Sequence, residues 1–279
     1  MPPSPIYEEI SSGLIDPVTA QLFSTGLPNY YMHIISLLSP LRIHTQIINF
    51  AQLALQHLTS KTPAATKSDL LARLFHASLA ISDFTTAYTS LARYEDTALQ
   101  RAALSSLVTS MVAANHVEEL IRLPFASLYS DVDNLLTEKA RAELNTLHSQ
   151  PGSIPYYKIL YAFRLRRGDH RGAAAVIIER IEARRQRKST QGPRFGGHKE
   201  AEKGLDEYLV GINALALVKE EDEQWVFVEG LNKGDKRRVV RLQDLRERYQ
   251  EEIDRIGMIE MGRFSIVGDD DEGEDVDMG

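Results

Sequence analysis

The sequence has 279 residues, 43% hydrophobic content and no cysteine, so it can bury one large or two modest cores without disulfides. The absence of cysteine excludes thiolate metal sites and cysteine nucleophiles, and it favours a reducing compartment over secretion. The net charge of −7 is local, because seven acids and no base lie in 269–279 while the other 32 of the 39 acids balance the 32 Lys and Arg residues. Because like charges at this density repel one another, we predict a disordered acidic tail over 268–279. It either keeps the chain soluble or contacts a basic partner.

Apolar residues recur at helical spacing from the first third of the chain onward. Ser39-Pro40 predicts a helix start, followed by a core-facing stripe that begins at Ile43 and Ile47. Ser82-Asp83 predicts a break between two further helices. A more polar helix is expected after Ser130-Asp131, with Leu135, Ala142 and Leu147 on its apolar side.

The segment Arg167-Gly168-Asp169 has two interpretations, an adhesion tripeptide or a turn between two helices. The first ten residues, MPPSPIYEEI, have neither the basic nor the apolar region of a signal peptide, which argues against an extracellular adhesion protein. In the second interpretation Gly168 follows the end of an aromatic helix in a left-handed conformation, and Asp169 caps the next helix. The alanines over 173–175 then give that second helix a small surface that packs closely on the first.

The period of the pattern changes near the C-terminus. Residues 189–199 are rich in Gly, Ser and Thr and predict a flexible loop, after which a helical pattern returns. Residues 224–228 and 238–242 predict two short strands of a hairpin, and a further helix is expected to begin at Leu242.

The predicted fold is all-α: an irregular α-solenoid of antiparallel helix hairpins, with a short β-hairpin near the C-terminus and a disordered acidic tail. We expect a helical solenoid region over 1–188 and a flexible loop over 189–199. Helices with the β-hairpin (about 224–242) follow over 200–267 and pack on the same solenoid, and the tail covers 268–279. No run of about 18 uncharged apolar residues is present, so no membrane insertion is expected.

No catalytic, cofactor-binding or metal-binding constellation is present among the common phosphate-loop, dinucleotide, zinc-protease and serine-hydrolase motifs. The eight histidines are scattered, so no metal site and no cofactor is expected. Basic runs at 184–188 and 236–241 admit phosphate contacts, but the body of the chain is neutral, and we expect no direct nucleic-acid binding.

An apolar stripe on the last helix is the candidate protein-binding surface. It either packs on the chain's own solenoid or docks a partner helix. The candidate residues are Leu242, Leu245, Tyr249, Ile253, Ile256 and Ile259.

Several stretches in a fixed order carry a family resemblance. They are the segment that begins Pro28-Asn29-Tyr30-Tyr31-Met32, the block Tyr156–Ile181 with its Gly168-Asp169 turn, the segment 208–215, the Trp225-Val226 strand and the segment 239–249. Together they resemble the C-terminal helical region of the scaffold nucleoporins called nucleoporin one-twenty in fungi and nucleoporin one-sixty in animals. The block Tyr156–Ile181 is the most specific part of the resemblance.

The resemblance implies a structural, non-enzymatic subunit of the Y-shaped coat complex of the nuclear pore, located at the nuclear envelope. The implied partners are the helical nucleoporins of the short arm and the stalk, which would meet this chain at the hub of the Y, and the upstream part of the same nucleoporin. Family members begin with a β-propeller that this chain lacks, so we expect a C-terminal fragment or a split-gene product. The alternatives are a subunit of another helical-repeat assembly, such as a proteasome-lid or signalosome-type complex, and an RNA-binding helical repeat.

Overall fold

The computed structural model describes residues 26–59, 63–145, 154–191, 198–228 and 238–260, with the side chains of 145, 187–191, 198–203 and 259–260 left aside. Within these ranges it contains eleven α-helices and one two-stranded antiparallel sheet. The helices are α1 (Leu27–Leu38), α2 (His44–Gln56), α3 (Ala64–Ala80), α4 (Phe84–Leu91), α5 (Thr97–Ala113), α6 (Val117–Arg122), α7 (Tyr129–Asn145), α8 (Tyr156–Arg166), α9 (His170–Gln191), α10 (His198–Ala216) and α11 (Leu242–Glu260). The strands are β1 (Trp225–Val228) and β2 (Arg238–Arg241). The predicted all-α class with one short β-hairpin is confirmed.

The chain divides into two compact units. The first comprises Met1–Leu135 with Gln150–Ile154, and the second comprises Leu136–Ser149 with Pro155–Gly279. The division falls inside α7, whereas the sequence pattern suggested one solenoid region up to residue 188. Each unit has its own buried core, and each is described separately below.

In the first unit each helix from α1 to α5 packs on the next one in sequence. Its first core lies among α1, α2 and α3, where apolar residues at spacings of three and four point inward. The buried residues of this cluster are Ile35, Ile47, Ile48, Ala51, Ala54, Leu55, Leu70, Leu71, Leu74 and Ala77. From α4 to α7 the buried side chains include Phe84, Leu104, Leu107, Met111, Phe125 and Val132. Successive helices packed in this way are the arrangement of a helical solenoid.

Three helix hairpins use the same turn. In each, one residue takes a positive φ, its amide donates to the carbonyl three residues earlier, and the next amide donates to the carbonyl five residues earlier at 2.8 to 3.0 Å. These bonds satisfy carbonyls that the helix end leaves unpaired. The residues at positive φ are Ser82 (60°), Asn115 (62°) and Gly168 (77°).

The Arg167-Gly168-Asp169 segment is therefore a helix turn, as predicted. Asp169 Oδ1 accepts a hydrogen bond from the Gly172 amide at 2.8 Å, and Asp83 accepts one from the Thr86 amide at 3.1 Å. Both aspartates thus cap helices, which confirms the two predicted turns.

The second unit is centred on α9, which packs against α8, α10 and β1. Ala173 and Ala174 of α9 are fully buried. Arg164 ties three helices together, because its guanidinium donates to the Gly172 carbonyl of α9 and to Thr137 Oγ1 of α7, both at 3.0 Å. Helix α11 in turn packs on α10 and β2.

Two local predictions are wrong. Ser39-Pro40 does not start a helix: Ser39 is the C-cap of α1, its hydroxyl donates to the Ile35 carbonyl, and α2 begins only at His44. The reversal instead uses Arg42 at a φ of 54°, which the sequence pattern did not reveal.

The predicted apolar side of α7 is also wrong, although Leu135 is half-buried. The structure buries Val132, Leu136, Ala140 and Leu144, whereas Ala142 is exposed and Leu147 lies outside the described residues. The helix begins at Tyr129, before the predicted start. The predicted 189–199 loop overlaps two helices, since α9 continues to Gln191 and α10 begins at His198; residues 192–197 lie outside the described residues.

Candidate protein-binding surface

The predicted apolar stripe begins where β2 passes directly into α11. The Leu242 amide donates to the Gln224 carbonyl at 3.0 Å, which continues the strand pairing, and the Arg241 amide donates to Asp244 Oδ2 at 2.9 Å. Asp244 thus lies in the first turn of α11 and satisfies an amide just before the helix, where a carboxylate also complements the helix dipole. This junction fixes the direction in which α11 leaves the hairpin.

The structure describes the side chains of five of the six candidate binding residues, and these fall into two groups. Leu242 and Leu245 are buried in the core of the second unit, so they are not accessible to a partner. Tyr249, Ile253 and Ile256 follow on the same side of the helix and are half-buried. The sixth residue, Ile259, lies in α11 at a position whose side chain is outside the described residues. The accessible part of the stripe therefore starts at Tyr249.

Helix α9 holds both the hairpin and α11 through Glu182. This half-buried carboxylate accepts a hydrogen bond from Arg238 of β2, and it accepts a second from Arg248 Nη1 of α11 at 2.6 Å. Charge-assisted hydrogen bonds of this kind are about twice as strong as neutral ones. Glu182 therefore couples the positions of β2 and α11.

A second attachment comes from Arg171, also on α9. Its guanidinium carbon lies 3.6 Å from the centroid of the Trp225 ring, and its Nε donates to the Trp225 carbonyl at 2.9 Å. Stacking and a hydrogen bond from one planar group restrict the tryptophan side chain and its backbone together.

One face of the β-hairpin packs inward and the other is open. Val226, Val228 and Val240 are buried, while Phe227 and its cross-strand partner Val239 keep 56% and 43% of their surface exposed. The sequence analysis did not single out this open face. The signal was available, because four successive apolar residues in β1 must place apolar side chains on both faces of a strand.

The open face borders a cleft of about 630 Å³. Its apolar wall is formed by Trp225, Phe227 and Val239, and the Trp225 and Phe227 rings meet edge to face with centroids 4.7 Å apart. Glu221, Asp222, Arg241 and Arg246 provide the charged part of its lining. Buried aromatic residues and arginines contribute most of the binding energy in protein interfaces, so this composition suits a protein partner.

A second cleft of about 410 Å³ lies among α9, α10 and α11. Ile181 and Tyr208 line it together with charged residues from all three helices. Burial raises the pKa of the Tyr208 hydroxyl above its ordinary value. Behind the cleft, Glu207 accepts hydrogen bonds from Arg180 Nε at 2.8 Å and from Arg184 Nη2 at 2.9 Å. Arg180 and Arg184 are thus both paired with a carboxylate of the same unit.

Burial also raises the pKa of a carboxyl group on α7, that of Glu143, which lies next to the first turn of α8. Glu143 accepts a hydrogen bond from the Tyr156 amide at 2.8 Å, and burial raises the pKa of the Glu143 carboxyl in spite of this bond. Its position at the first turn of α8 indicates a structural role.

The described part of the chain contains no cluster of three or more His, Cys, Asp or Glu side chains that could hold a metal ion. None of the helices described is both long enough and apolar enough to cross a membrane.

Comparisons with known proteins agree on one group of relatives. Residues 3–113 match a family model described as Nucleoporin Nup120, HEAT repeats. The chain is 30% identical to Nucleoporin NUP120 of Chaetomium thermophilum over 95% of this chain and 28% of that protein. It is 28% identical to nucleoporin nup120 of Schizosaccharomyces pombe over 73% of this chain and 17% of that protein. It is 26% identical to the nuclear pore complex protein Nup160 of Mus musculus over 77% of this chain. The chain therefore spans less than a third of the length of these relatives.

Proposed function

Because the chain belongs to the Nup120/Nup160 family of nucleoporins, we propose that it binds other helical nucleoporins at the hub of the Y-shaped coat of the nuclear pore. The family is one of nuclear pore scaffold proteins and is not known for enzymatic activity. In the proposed position the chain would support nucleocytoplasmic transport and mRNA export. The observation that carries the proposal is the similarity to a fungal Nup120 over 95% of this chain.

The helical subunits of the short arm and the stalk are the partners of the proposal, together with the upstream part of the same nucleoporin. The second unit supports a contact of this kind, because α11 keeps Tyr249, Ile253 and Ile256 half-buried, whereas Leu242 and Leu245 before them are buried. A helix that offers apolar residues three and four positions apart is suited to packing against another helix. We propose that this part of α11 contributes to partner binding.

The test is an affinity purification of the tagged chain from nuclear-envelope extract, with quantitative mass spectrometry. We expect coat nucleoporins to be recovered with the full chain and lost when it is truncated after Gln224. A triple variant, Tyr249→Ala, Ile253→Ala and Ile256→Ala, should reduce recovery in the same direction.

Met258→Ala is the matched control, because Met258 lies on the same helix and is already 47% exposed. It should leave recovery unchanged. Recovery of proteasome-lid or signalosome subunits in place of nucleoporins would contradict the proposal. Retention of nucleoporins by the truncated chain would keep the proposed function but move the contact away from α11.

A further inference from the structure

The open face of the β-hairpin is an apolar surface with a defined geometry. Phe227 and Val239 are directly opposite each other on the two strands, with Trp225 next to them on the same face. Side chains at such a cross-strand pair lie about 5 Å apart. Residues at positions i and i+4 of a helix have about the same spacing, so the pair can contact one turn of a helix laid across it.

This face is held in place before any partner arrives. Arg171 stacks on the Trp225 ring and binds its carbonyl, and Glu182 binds Arg238 at the other strand. Both strands are thus attached to α9, and the opposite face of the hairpin is buried. A surface that is already ordered loses little conformational entropy on binding, which favours affinity.

The edges of the hairpin are partly blocked, which favours a ligand bound on the open face over a strand added at an edge. The bond from the Leu242 amide to the Gln224 carbonyl makes those two residues a hydrogen-bonded pair. In an antiparallel ladder the next pair, Trp225 and Arg241, then directs its amides and carbonyls outward. Arg171 occupies the outward Trp225 carbonyl, and Asp244 occupies the outward Arg241 amide. An added strand would have to displace these side chains, so the edges disfavour strand addition and the open face remains the surface for binding.

Charged residues of both signs line the cleft beside this face. Glu221 and Asp222 come from the 3₁₀ turn before β1, and Arg241 and Arg246 come from the end of β2 and from α11. All four are exposed, and none of them forms an ion pair with another described residue. A bound segment could therefore pair with both signs of charge without breaking an existing ion pair.

We propose that this face binds an amphipathic helix of a partner protein. Apolar residues of that helix at spacings of three and four contact Phe227 and Val239. Its acidic residues lie toward Arg241 and Arg246, and its basic residues lie toward Glu221 and Asp222. The inference deepens the proposed function, because a helical partner of a scaffold nucleoporin would supply such a helix, and it defines a contact surface separate from the α11 stripe.

The first step of the test identifies the bound segment. The photo-crosslinking residue p-benzoylphenylalanine replaces Phe227 in the full chain, and crosslinks formed in nuclear-envelope extract are mapped by mass spectrometry. The crosslinked segment is then synthesised as a peptide and titrated against the purified chain by fluorescence anisotropy, with circular dichroism of the bound peptide. We expect a peptide from another protein that becomes helical on binding and carries acidic residues beside its apolar stripe.

Variants then test the contacts. Phe227→Asp should weaken peptide binding about 30-fold, the size of a central interface residue, and Val239→Asp should weaken it in the same direction. Leu99→Asp is the control, because Leu99 is 48% exposed on α5 of the first unit, and it should bind like the original chain. Arg246→Glu should weaken binding several-fold, and a peptide with its acidic residues changed to Lys should restore it. Unchanged helical content by circular dichroism and a cooperative thermal unfolding transition exclude unfolding of the variants.

The outcomes separate the two proposals. Crosslinks confined to this chain's own segments 229–237 or 261–279, crosslinks to a second copy, or a peptide that binds in extended form would each overturn the inference. Failure of the charge exchange would overturn the assignment of the charged residues. A helical peptide from a protein outside the nuclear pore would support the inference while contradicting the proposed function.

Discussion

Removal of the Glu207 carboxylate should destabilise the second unit strongly. Glu207 has a side chain only 8% exposed, and it accepts hydrogen bonds from Arg180 and Arg184, whose side chains are 22% and 25% exposed. Arg184 Nη2 donates to Glu207 Oε1 at 2.9 Å, while Arg184 Nη1 lies 2.9 Å from Oε2 as an ion pair without the geometry of a hydrogen bond. Arg180 also stacks on the Tyr157 ring, with 3.9 Å between the guanidinium carbon and the ring centroid.

The size of the effect follows from this burial. Truncation of one member of a buried ion pair typically costs about 3–5 kcal/mol, because the remaining charge stays uncompensated. Here the two arginines keep some solvent contact, so we expect Glu207→Ala to cost about 3 kcal/mol, near the lower end of that range. Glu207→Gln keeps the shape and one acceptor but not the charge, so a large part of the loss should persist in it.

Urea unfolding, followed by tryptophan fluorescence, measures the change in the stability of the second unit. Trp225 is the single tryptophan of the chain and lies in the second unit. At a slope of about 2 kcal/mol per M, a loss of about 3 kcal/mol lowers the urea midpoint by about 1.5 M. The control is Glu179→Ala, which breaks an exposed pair with Arg141 and should cost less than about 1 kcal/mol. If Glu207→Ala costs no more than Glu179→Ala, the reasoning from burial is wrong.

Three further changes test individual features of the fold. Gly168→Ala should cost about 1 kcal/mol from backbone strain alone, because the position has a φ of 77° and no atom lies near an added Cβ. Gly168→Asn should cost less, because Asn tolerates this conformation better. The urea midpoints of the two variants check this order. Burial raises the pKa of Glu143, so its contribution to stability is largest below the ordinary value of 4.5 and is lost as the pH rises through the folded-state pKa. Glu143→Gln keeps the acceptor for the Tyr156 amide but has no carboxyl that ionises. The melting temperature of the variant minus that of the original chain should therefore rise from acidic to neutral pH. A difference that stays constant with pH would contradict burial of the carboxyl as the cause. Arg171→Lys should loosen the tryptophan, seen as a red shift of Trp225 emission and about 1 kcal/mol lost, and an unchanged spectrum would argue against the stacking.

The turns could be predicted where the residue type indicates the backbone conformation. Gly168-Asp169 combines a residue that tolerates positive φ with a strong N-cap, and Ser82-Asp83 supplies the same N-cap. The third turn at Asn115-His116 has the same hydrogen bonds, but histidine is a weak capping residue and its side chain makes no capping bond. Asn115 favours a positive φ, but without a capping side chain at His116 the signal was weaker, and the sequence analysis did not recognise this turn.

The hairpin and the start of α11 were also predicted within a residue or two, since the apolar pattern changes period there. The burial of individual residues along α11 could not be predicted in the same way. A helical stripe specifies which residues share a side of a helix, but not how far along that helix the neighbouring elements extend. Leu242 and Leu245 are covered by the second unit, whereas the following positions are only partly covered, and this difference is a property of the tertiary structure.

The attachment of the hairpin to α9 explains why a two-stranded sheet can provide a stable surface here. A hairpin of two four-residue strands is marginal by itself in water. Arg171 and Glu182 lie eleven residues apart on α9, which is about 16 Å along a helix, and they bind β1 and β2 respectively. Helix α9 therefore sets the orientation of the open face that carries Phe227 and Val239. Because Glu182 also binds Arg248, the same carboxylate positions the stretch of α11 that leads into Tyr249. A partner that contacts the hairpin face and one that contacts α11 would thus act on elements held by the same helix, so that loosening α9 would weaken both surfaces together.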